Sequence, residues 1–255
     1  MLYIIDRSTD PWWNLAAEEY LFKEFSEPVF RLWQNDNAII IGLHQNAYAE
    51  INLDYVKQNN IKVVRRLTGG GAVFHDLGNV NFTFIDNRIK GEDSAGMFAR
   101  FTKPVLEALN KLGVNASLEG RNDLVIEGRK FSGNALAVYR ERVLQHGTLL
   151  FSSSIRDLSG ALAGRAEKFA GKSVKSNAAR VTNISEHLKS PMVIGDFISY
   201  LEKEITGGRE YRIYTYSRKD IDAISQLRES RYSLDSWNYG SAPAYSFSKV
   251  RYFPA

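Results

Sequence analysis

The sequence predicts an α+β domain in which a mixed, largely antiparallel sheet is flanked by helices. Three observations carry that expectation. Runs of β-branched and aromatic residues come mostly in neighbouring pairs separated by turn residues, as hairpins require. A doubly wound parallel sheet would place them singly between helices. Other segments repeat apolar residues at helical spacing. The chain has 255 residues, 44% of them hydrophobic, which suits one large domain with its own core.

In chain order, "TDPWWNLAAEEYLFKEF" reads as a helix, with Asp10 as its cap, Pro11 in its first turn and Leu15, Tyr20 and Phe22 as apolar contacts. "PVFRLWQ" and "AIIIGLHQN" read as strands around the turn "NDN", and "LDYVKQNN" as a short helix. "IKVVRRL" and "GGAVFHD" are strands flanking three consecutive glycines, and "VNFTFI" follows the turn residues "DLGN". "GMFARFTKPVLEALNKLGV" is an amphipathic helix that Gly113 stops. "NDLVIEGRKFSGNA" and "VLQHGTLLFSSS" are strand-like, and "AGRAEKFAGKSVKSNAARVTN" reads as a loop with helical pieces. "PMVIGDFISYLEKEI" and "SRKDIDAISQLRESRY" are helices, and the aromatic end "SWNYGSAPAYSFSKVRYFPA" is strand-like.

Composition excludes several classes. With no cysteine there is no disulfide, no thiolate nucleophile and no Cys-held zinc. The formal charge of +4 is not gathered into a basic stripe, so no nucleic-acid partner is expected. Asp6 and Arg7 cut the first apolar run too short for a signal peptide, and the longest apolar stretch, "AIIIGL", is far below a membrane span. A cytoplasmic protein with no membrane partner is expected. His44, His75, His146 and His187 are scattered, without metal-ligand spacing. "AGKS" lacks the leading glycine of a phosphate-binding P-loop, Phe74 breaks the dinucleotide glycine pattern, and no G-x-S-x-G elbow occurs.

Two constellations remain. In "RRLTGGGAVFHDLGN", Gly69, Gly70 and Gly71 lack a Cβ to block close approach, so their N–H groups can converge on an anion beside the guanidinium donors of Arg65 and Arg66. A bulge or tight turn within a sheet would use the same residues. In "NDLVIEGRKFSGNA", a two-residue turn near Glu127–Gly128 or Gly128–Arg129 would put Asp123, Lys130 and Ser132 on one face, beside Gly133 and Ala135. Leu124, Ile126 and Phe131 would fall on the other face. That polar face reads as a sheet-based site or as a solvent-exposed strand face with one salt bridge. Lys130 would serve as a fixed charge or, if desolvated, as a base.

Together the two stretches strongly resemble the signature segments of the lipoate–protein ligase A family. "DPWWNLAAEEYLF", "HGTLLF", "SVKSNAARVTN" and "WNYGSAPAY" extend the match, in order, across nearly the whole chain. The resemblance implies the biotin/lipoate ligase catalytic fold. It also implies an enzyme that uses ATP and Mg²⁺ to activate lipoate as lipoyl-AMP and then lipoylates a lysine of an acceptor lipoyl domain, in a 2-oxoacid dehydrogenase complex or the glycine cleavage H protein. By motif match Lys130 contacts the lipoyl carbonyl and the α-phosphate. Arg66 and the backbone of Gly71, Ala72, Val73 and Phe74 bind nucleotide, and Gly69, Gly70 and His75 line the same cleft. Ser132 and Ala135 join that adenylate set, and Asp123 meets the ribose or the metal. Arg66 and His146 accompany Lys130 on lipoate, with Trp33 and Leu43 near the acyl chain, and Lys172 to Arg180 fold over the adenylate. The zero cysteine count separates the chain from related octanoyl and lipoyl transferases that use a thiolate. An acyl ligase of the same fold for octanoate or biotin, and a lipoate-binding scaffold without chemistry, are the competing readings. Residues 1–240 are expected to be the catalytic domain and 241–255 a tail leading towards a small C-terminal domain absent from this chain. A complete chain of this length would instead be expected to need a partner subunit for adenylation.

Overall fold

Asp10 begins the first helix as its sequence predicts: its carboxylate accepts from the Trp12 N–H at 3.2 Å, and Pro11 occupies the first helical position. In the computed structural model, which describes residues 1–162, 169–171, 181–208, 210–241 and 245–247, that helix belongs to the following order. The elements are β1 (Leu2–Ile4), α1 (Pro11–Glu24), β2 (Val29–Trp33), β3 (Ala38–Ile41), α2 (Ala47–Glu50), α3 (Leu53–Gln58), β4 (Lys62–Arg65), β5 (Val73–His75), β6 (Asn79–Asn87), α4 (Ser94–Lys111), β7 (Ala116–Glu119), β8 (Asp123–Ile126), β9 (Arg129–Tyr139), β10 (Arg142–Leu150), α5 (Ile155–Ala161), β11 (Phe169–Gly171), α6 (Ile194–Thr206), β12 (Arg212–Tyr214), α7 (Arg218–Leu227), α8 (Asp235–Asn238) and β13 (Tyr245–Phe247).

Eight strands form the main sheet in the order β12-β1-β2-β6-β10-β9-β8-β7. β1 runs parallel to both β2 and β12, and every other pairing in that sheet is antiparallel. The mixed, largely antiparallel sheet is therefore as predicted. β3, β4 and β5 make a separate small sheet, parallel in one pairing and antiparallel in the other.

Strand alternation sorts the main sheet into two faces. Phe30, Phe82, Phe84 and Phe131 point to one side and pack against Phe101 and Val105 of α4 and Phe197 and Leu201 of α6. On the opposite side Leu2, Ile4, Val29, Ile85 and Leu144 pack against Leu21 and Phe22 of α1. The small sheet lies on this second side. Its Ala38, Ile40 and Val64 meet Trp33 of β2 and Leu15 and Ala16 of α1. Its Ile39, Val63 and Phe74 turn away, towards Ala47, Val56 and Ala161 of the α2, α3 and α5 layer.

Three short strands, β1, β7 and β12, escape the sequence pattern, because runs of three or four residues carry too little alternation to register. The end of the chain also differs. "SWNYG" is expected to be strand-like but contributes α8, whose Trp237 and Asn238 reach back to β4. "AGRAEKFAGKSVKSNAARVTN" holds strand β11, which pairs antiparallel with β13 apart from the main sheet.

Candidate active site

The hairpin β8–β9 turns on Glu127 and Gly128, both at positive φ (52° and 71°), a two-residue loop of the kind expected. Lys130 then stands opposite Val125, and its Nζ lies 2.7 Å from Asp123 Oδ1. The predicted face is altered by a bulge between Leu124 and Val125, which sets Ser132 opposite Leu124. The extra residue moves Ser132 away from Lys130 and Asp123. Its hydroxyl is buried and accepts from Asn134 Nδ2 at 3.1 Å. Phe131, Leu124 and Ile126 are in the core as expected. The ammonium rests against the backbone of Gly133, where a Cβ would stand 3.2 Å from Lys130 Cε and Nζ.

From Gly133 one face of the main sheet runs inward. Gly133 N–H donates to Thr148 Oγ1 at 3.1 Å. Ala135 is directly opposite His146, and His146 is directly opposite Thr83 on β6. Asn79 and Asn81 share that face by strand alternation, and Trp33 stands opposite Asn81. His146 Nε2 meets Thr68 Oγ1 at 2.8 Å, which ties the segment after β4 to this surface.

That segment is the glycine turn. Gly70 has φ +99°, open to glycine and strained for other residues. Four bonds hold the Arg66 guanidinium behind it: to Thr68 Oγ1 (2.8 Å) and to the carbonyls of Ile40 (3.1 Å), Gly69 (2.8 Å) and Gly71 (2.8 Å). Among the described residues no acceptor meets the N–H groups of Gly69, Gly70 or Gly71. Carbonyls are thus drawn back onto a cation while the loop's N–H groups stay available, an arrangement suited to an anion. Ala72 and Val73 carry the turn into β5, and Phe74 gives its ring to the core, which leaves only its backbone for the cleft. Arg65, fully buried, is held by the carbonyls of Gly42, Gln45, Trp237 and Asn238. Burial lowers both arginines to about 10, which leaves them charged near neutrality.

His75 is buried at the edge of Trp33, with ring centroids 6.2 Å apart, and its Nδ1 lies 3.0 Å from Asn35 Nδ2. Burial, with the nearby charge of Arg66, lowers it to about 3, so the ring is neutral. Its Nε2, Asn79 Oδ1 and Asn81 Nδ2 are buried and have no hydrogen-bond partner among the described residues. Sequence reasoning missed both asparagines, although their alternation in "NVNFTF" marks a polar stripe on an otherwise apolar strand. It also missed Glu18, Thr68 and Thr83, which contact the site across long sequence separations.

The structure therefore brings Lys130, Asp123, Ala135, His146, His75, Arg66 and the glycine turn to one side of the sheet, and separates Ser132 from them. Lys172 to Arg180, expected to close over the adenylate, lie outside the described residues, as does most of the tail 241–255. The chain that follows Arg180 does dock here, with Thr182 N–H on the Lys130 carbonyl at 3.0 Å. No group of three His, Asp or Glu side chains converges among the described residues, so they form no metal cage. No described helix is long and apolar enough to cross a membrane.

Residues 10–206 match the family model described as the lipoyl protein ligase A/B catalytic domain. The chain belongs to the lipoyl protein ligase A/B catalytic family. It is thereby a member of a ligase family, and its curated relatives bear that out. Lipoate-protein ligase LplJ of Bacillus subtilis is 42% identical over 260 residues, covering 100% of this chain and 78% of the relative. Among solved structures, a bi-partite lipoate protein ligase studied with its E2 lipoyl domain, from Thermoplasma acidophilum, superposes with a TM-score of 0.81 at 27% identity, covering 94% of this chain and 96% of the other. A lipoate-protein ligase A bound with ATP gives 0.80 at 27% identity, over 94% and 98% of the two chains. The lipoate ligase fold is thus the fold of this chain.

The neutral His75 gives a family-independent prediction. The unfolded chain takes up this proton near the ordinary value of 6.5, whereas the native ring resists it down to about 3. Stability should be full above 6.5 and fall as the pH drops through that window, by up to about 1.4 kcal/mol per pH unit from this group. Urea midpoints measured against pH should flatten in His75→Gln; parallel curves for the two proteins would contradict the assignment.

Proposed function

We propose that this chain activates lipoate with MgATP to lipoyl-AMP and transfers the lipoyl group to a lysine of acceptor lipoyl domains. The acceptors are those of 2-oxoacid dehydrogenase complexes and the glycine cleavage H protein. The observation that carries this reading is the convergence of Lys130 with the glycine turn: an ammonium and unpartnered N–H groups open to one side of the sheet. The ATP-bound relative and the relative studied with its lipoyl domain support the choice of substrates.

In the first step a lipoate carboxylate oxygen attacks the α-phosphorus and pyrophosphate leaves. Two anions must meet, so fixed positive charge and N–H donors are the catalytic requirement. Lys130 supplies the charge at the reacting phosphate, and Gly69 to Gly71 supply backbone donors. Arg66 holds that loop in shape and adds field from behind it. In the second step the acceptor amine attacks the acyl carbon, AMP leaves, and the amine proton passes to solvent. Lys130 there faces the carbonyl oxygen as charge builds on it. Mg²⁺ belongs to the substrate MgATP, and Asp123 is the carboxylate placed to meet it or the ribose. Trp33, Leu43 and His146 are the residues we assign to the acyl chain.

The test is incubation with lipoate, MgATP and an unmodified lipoyl domain, with pyrophosphate release and the mass of the acceptor as readouts. Parallel arms use octanoate, biotin and preformed lipoyl-AMP. Pyrophosphate released by lipoate with a lipoylated acceptor supports the reading, and release driven by biotin alone would replace it.

With zero cysteines, the transfer must proceed without an enzyme thioester. Thiol alkylation should leave the rate unchanged once the dithiol of reduced lipoate is protected. A covalent lipoyl-enzyme species on the kinetic path would refute this.

A further inference from the structure

Glu18 sits on α1, 4% exposed, inside the segment "DPWWNLAAEEYLF", and neither the sequence reading nor the chemistry above gives it a role. Two hydrogen-bond chains end on its carboxylate. One begins at Arg66, whose Nε–H donates to Thr68 Oγ1 at 2.8 Å; Thr68 Oγ1 meets His146 Nε2 at 2.8 Å, and His146 Nδ1 meets Glu18 Oε2 at 2.9 Å. The other begins at Trp33, whose Nε1–H donates to Thr83 Oγ1 at 2.9 Å, and Thr83 Oγ1–H donates to Glu18 Oε1 at 2.7 Å.

The direction of every proton follows from the chemistry of the ends. Guanidinium and indole N–H groups only donate. Thr68 must therefore accept from Arg66, and its own proton has His146 Nε2 as acceptor. A neutral imidazole then carries its proton on Nδ1, facing Glu18. Both chains point toward the one group that only accepts, an ionised carboxylate. Burial alone would push the Glu18 carboxyl up, but the hydrogen bonds from His146 and Thr83, with the charge of Arg31, hold it below the ordinary carboxylate value.

We propose that Glu18 is a positioning residue for adenylation: by fixing the His146 tautomer it orients Thr68, and through Thr68 the Arg66 guanidinium that holds the carbonyls of Gly69 and Gly71. This rests on the functional reading above. A carboxamide at position 18 tests it with little change of shape. Its oxygen can still accept from Thr83, but its amide then donates to His146 Nδ1. The ring proton moves to Nε2 and points at Thr68 Oγ1, so the Thr68 proton loses its acceptor and the hydroxyl must turn within its contact to Arg66. The Thr68 support of the Arg66 guanidinium is weakened while α1 remains packed.

The experiment has two readouts. Nitrogen-15 histidine spectra of the ligand-free protein, with His146 assigned by its absence in His146→Gln, report the tautomer. Lipoate-dependent pyrophosphate release per mole of folded protein reports adenylation. The wild type should show the Nδ1–H form and Glu18→Gln the Nε2–H form. Glu18→Gln and Thr68→Val should each lower kcat/KM, by on the order of a hundredfold, as for a misplaced reacting group. The double variant should be no slower than the slower single one, since both act through the same link. Additive losses, a wild-type rate in Glu18→Gln, or an Nε2–H ring in the wild type would each overturn the proposal. If Glu18→Gln does not fold, the wild-type tautomer and the Thr68→Val rate still decide. A wild type that releases no pyrophosphate with lipoate would overturn the functional reading instead, and the tautomer result would stand separately.

Discussion

Lys130→Met should slow both lipoate adenylation and transfer from lipoyl-AMP by roughly a hundred- to a thousandfold, the usual loss for one preorganised donor at developing charge. The fold should hardly notice. The Lys130–Asp123 pair is 28% and 40% exposed on its two sides, and ion pairs this open contribute at most about 1 kcal/mol. The apolar contacts of the hairpin belong to Leu124, Ile126 and Phe131, which point elsewhere. Lys130→Arg should recover little, because the head lies against Gly133, where a broad planar fork replaces a compact ammonium poorly. Adenylation and transfer are to be measured separately, with thermal melting alongside. A methionine variant with near-wild-type rates would show that Lys130 is a surface lysine.

The second large effect is expected at Gly42, which no motif singles out. A Cβ there would overlap the Gly70 carbonyl oxygen, stand 3.0 Å from its carbon and lie 3.3 Å from Arg66 Nη2. Gly42 cannot retreat easily: its N–H donates to Gln45 Oε1 at 2.9 Å and its carbonyl accepts from Arg65 Nη1 at 2.9 Å. The glycine turn must move instead. Gly42→Ala should cost roughly 1–3 kcal/mol of stability, as overpacking does. It should lower adenylation by on the order of a hundredfold through the displaced loop. Gly195→Ala, where nothing lies within 4 Å of the added carbon, serves as the comparison. An alanine at position 42 with unchanged melting and unchanged rate would show that the turn is not held as described.

What could be read from sequence is local. The glycine turn and the Glu127–Gly128 hairpin announce themselves within a few residues, because backbone conformation there selects residue type. The sheet class follows from paired alternating runs. The bulge that removes Ser132 from the polar face was not legible, since one extra residue in a strand leaves its composition unchanged. Nor were Glu18 and Thr68: each meets His146 across 128 and 78 residues, and only the packing of α1 and the small sheet onto β10 makes them neighbours. Glu18 in sequence is simply one of three acids in α1. Its partner at the next position, Glu19, does a purely structural task with Arg231 and Tyr232.

Arg65 has a bearing on how the protein is made. Its side chain is sealed by the carbonyls of Trp237 and Asn238, and its N–H by Asn238 Oδ1, residues about 170 positions later. A nascent chain still short of α8 holds β4 and the glycine turn but must keep that guanidinium in water, because burying it unpaired is costly. The Arg65 guanidinium, next in sequence to the one that holds the glycine turn, therefore settles only when nearly all of the described chain has left the ribosome. Partly made chains thus carry the glycine motif before the contacts that seal Arg65 beside it exist.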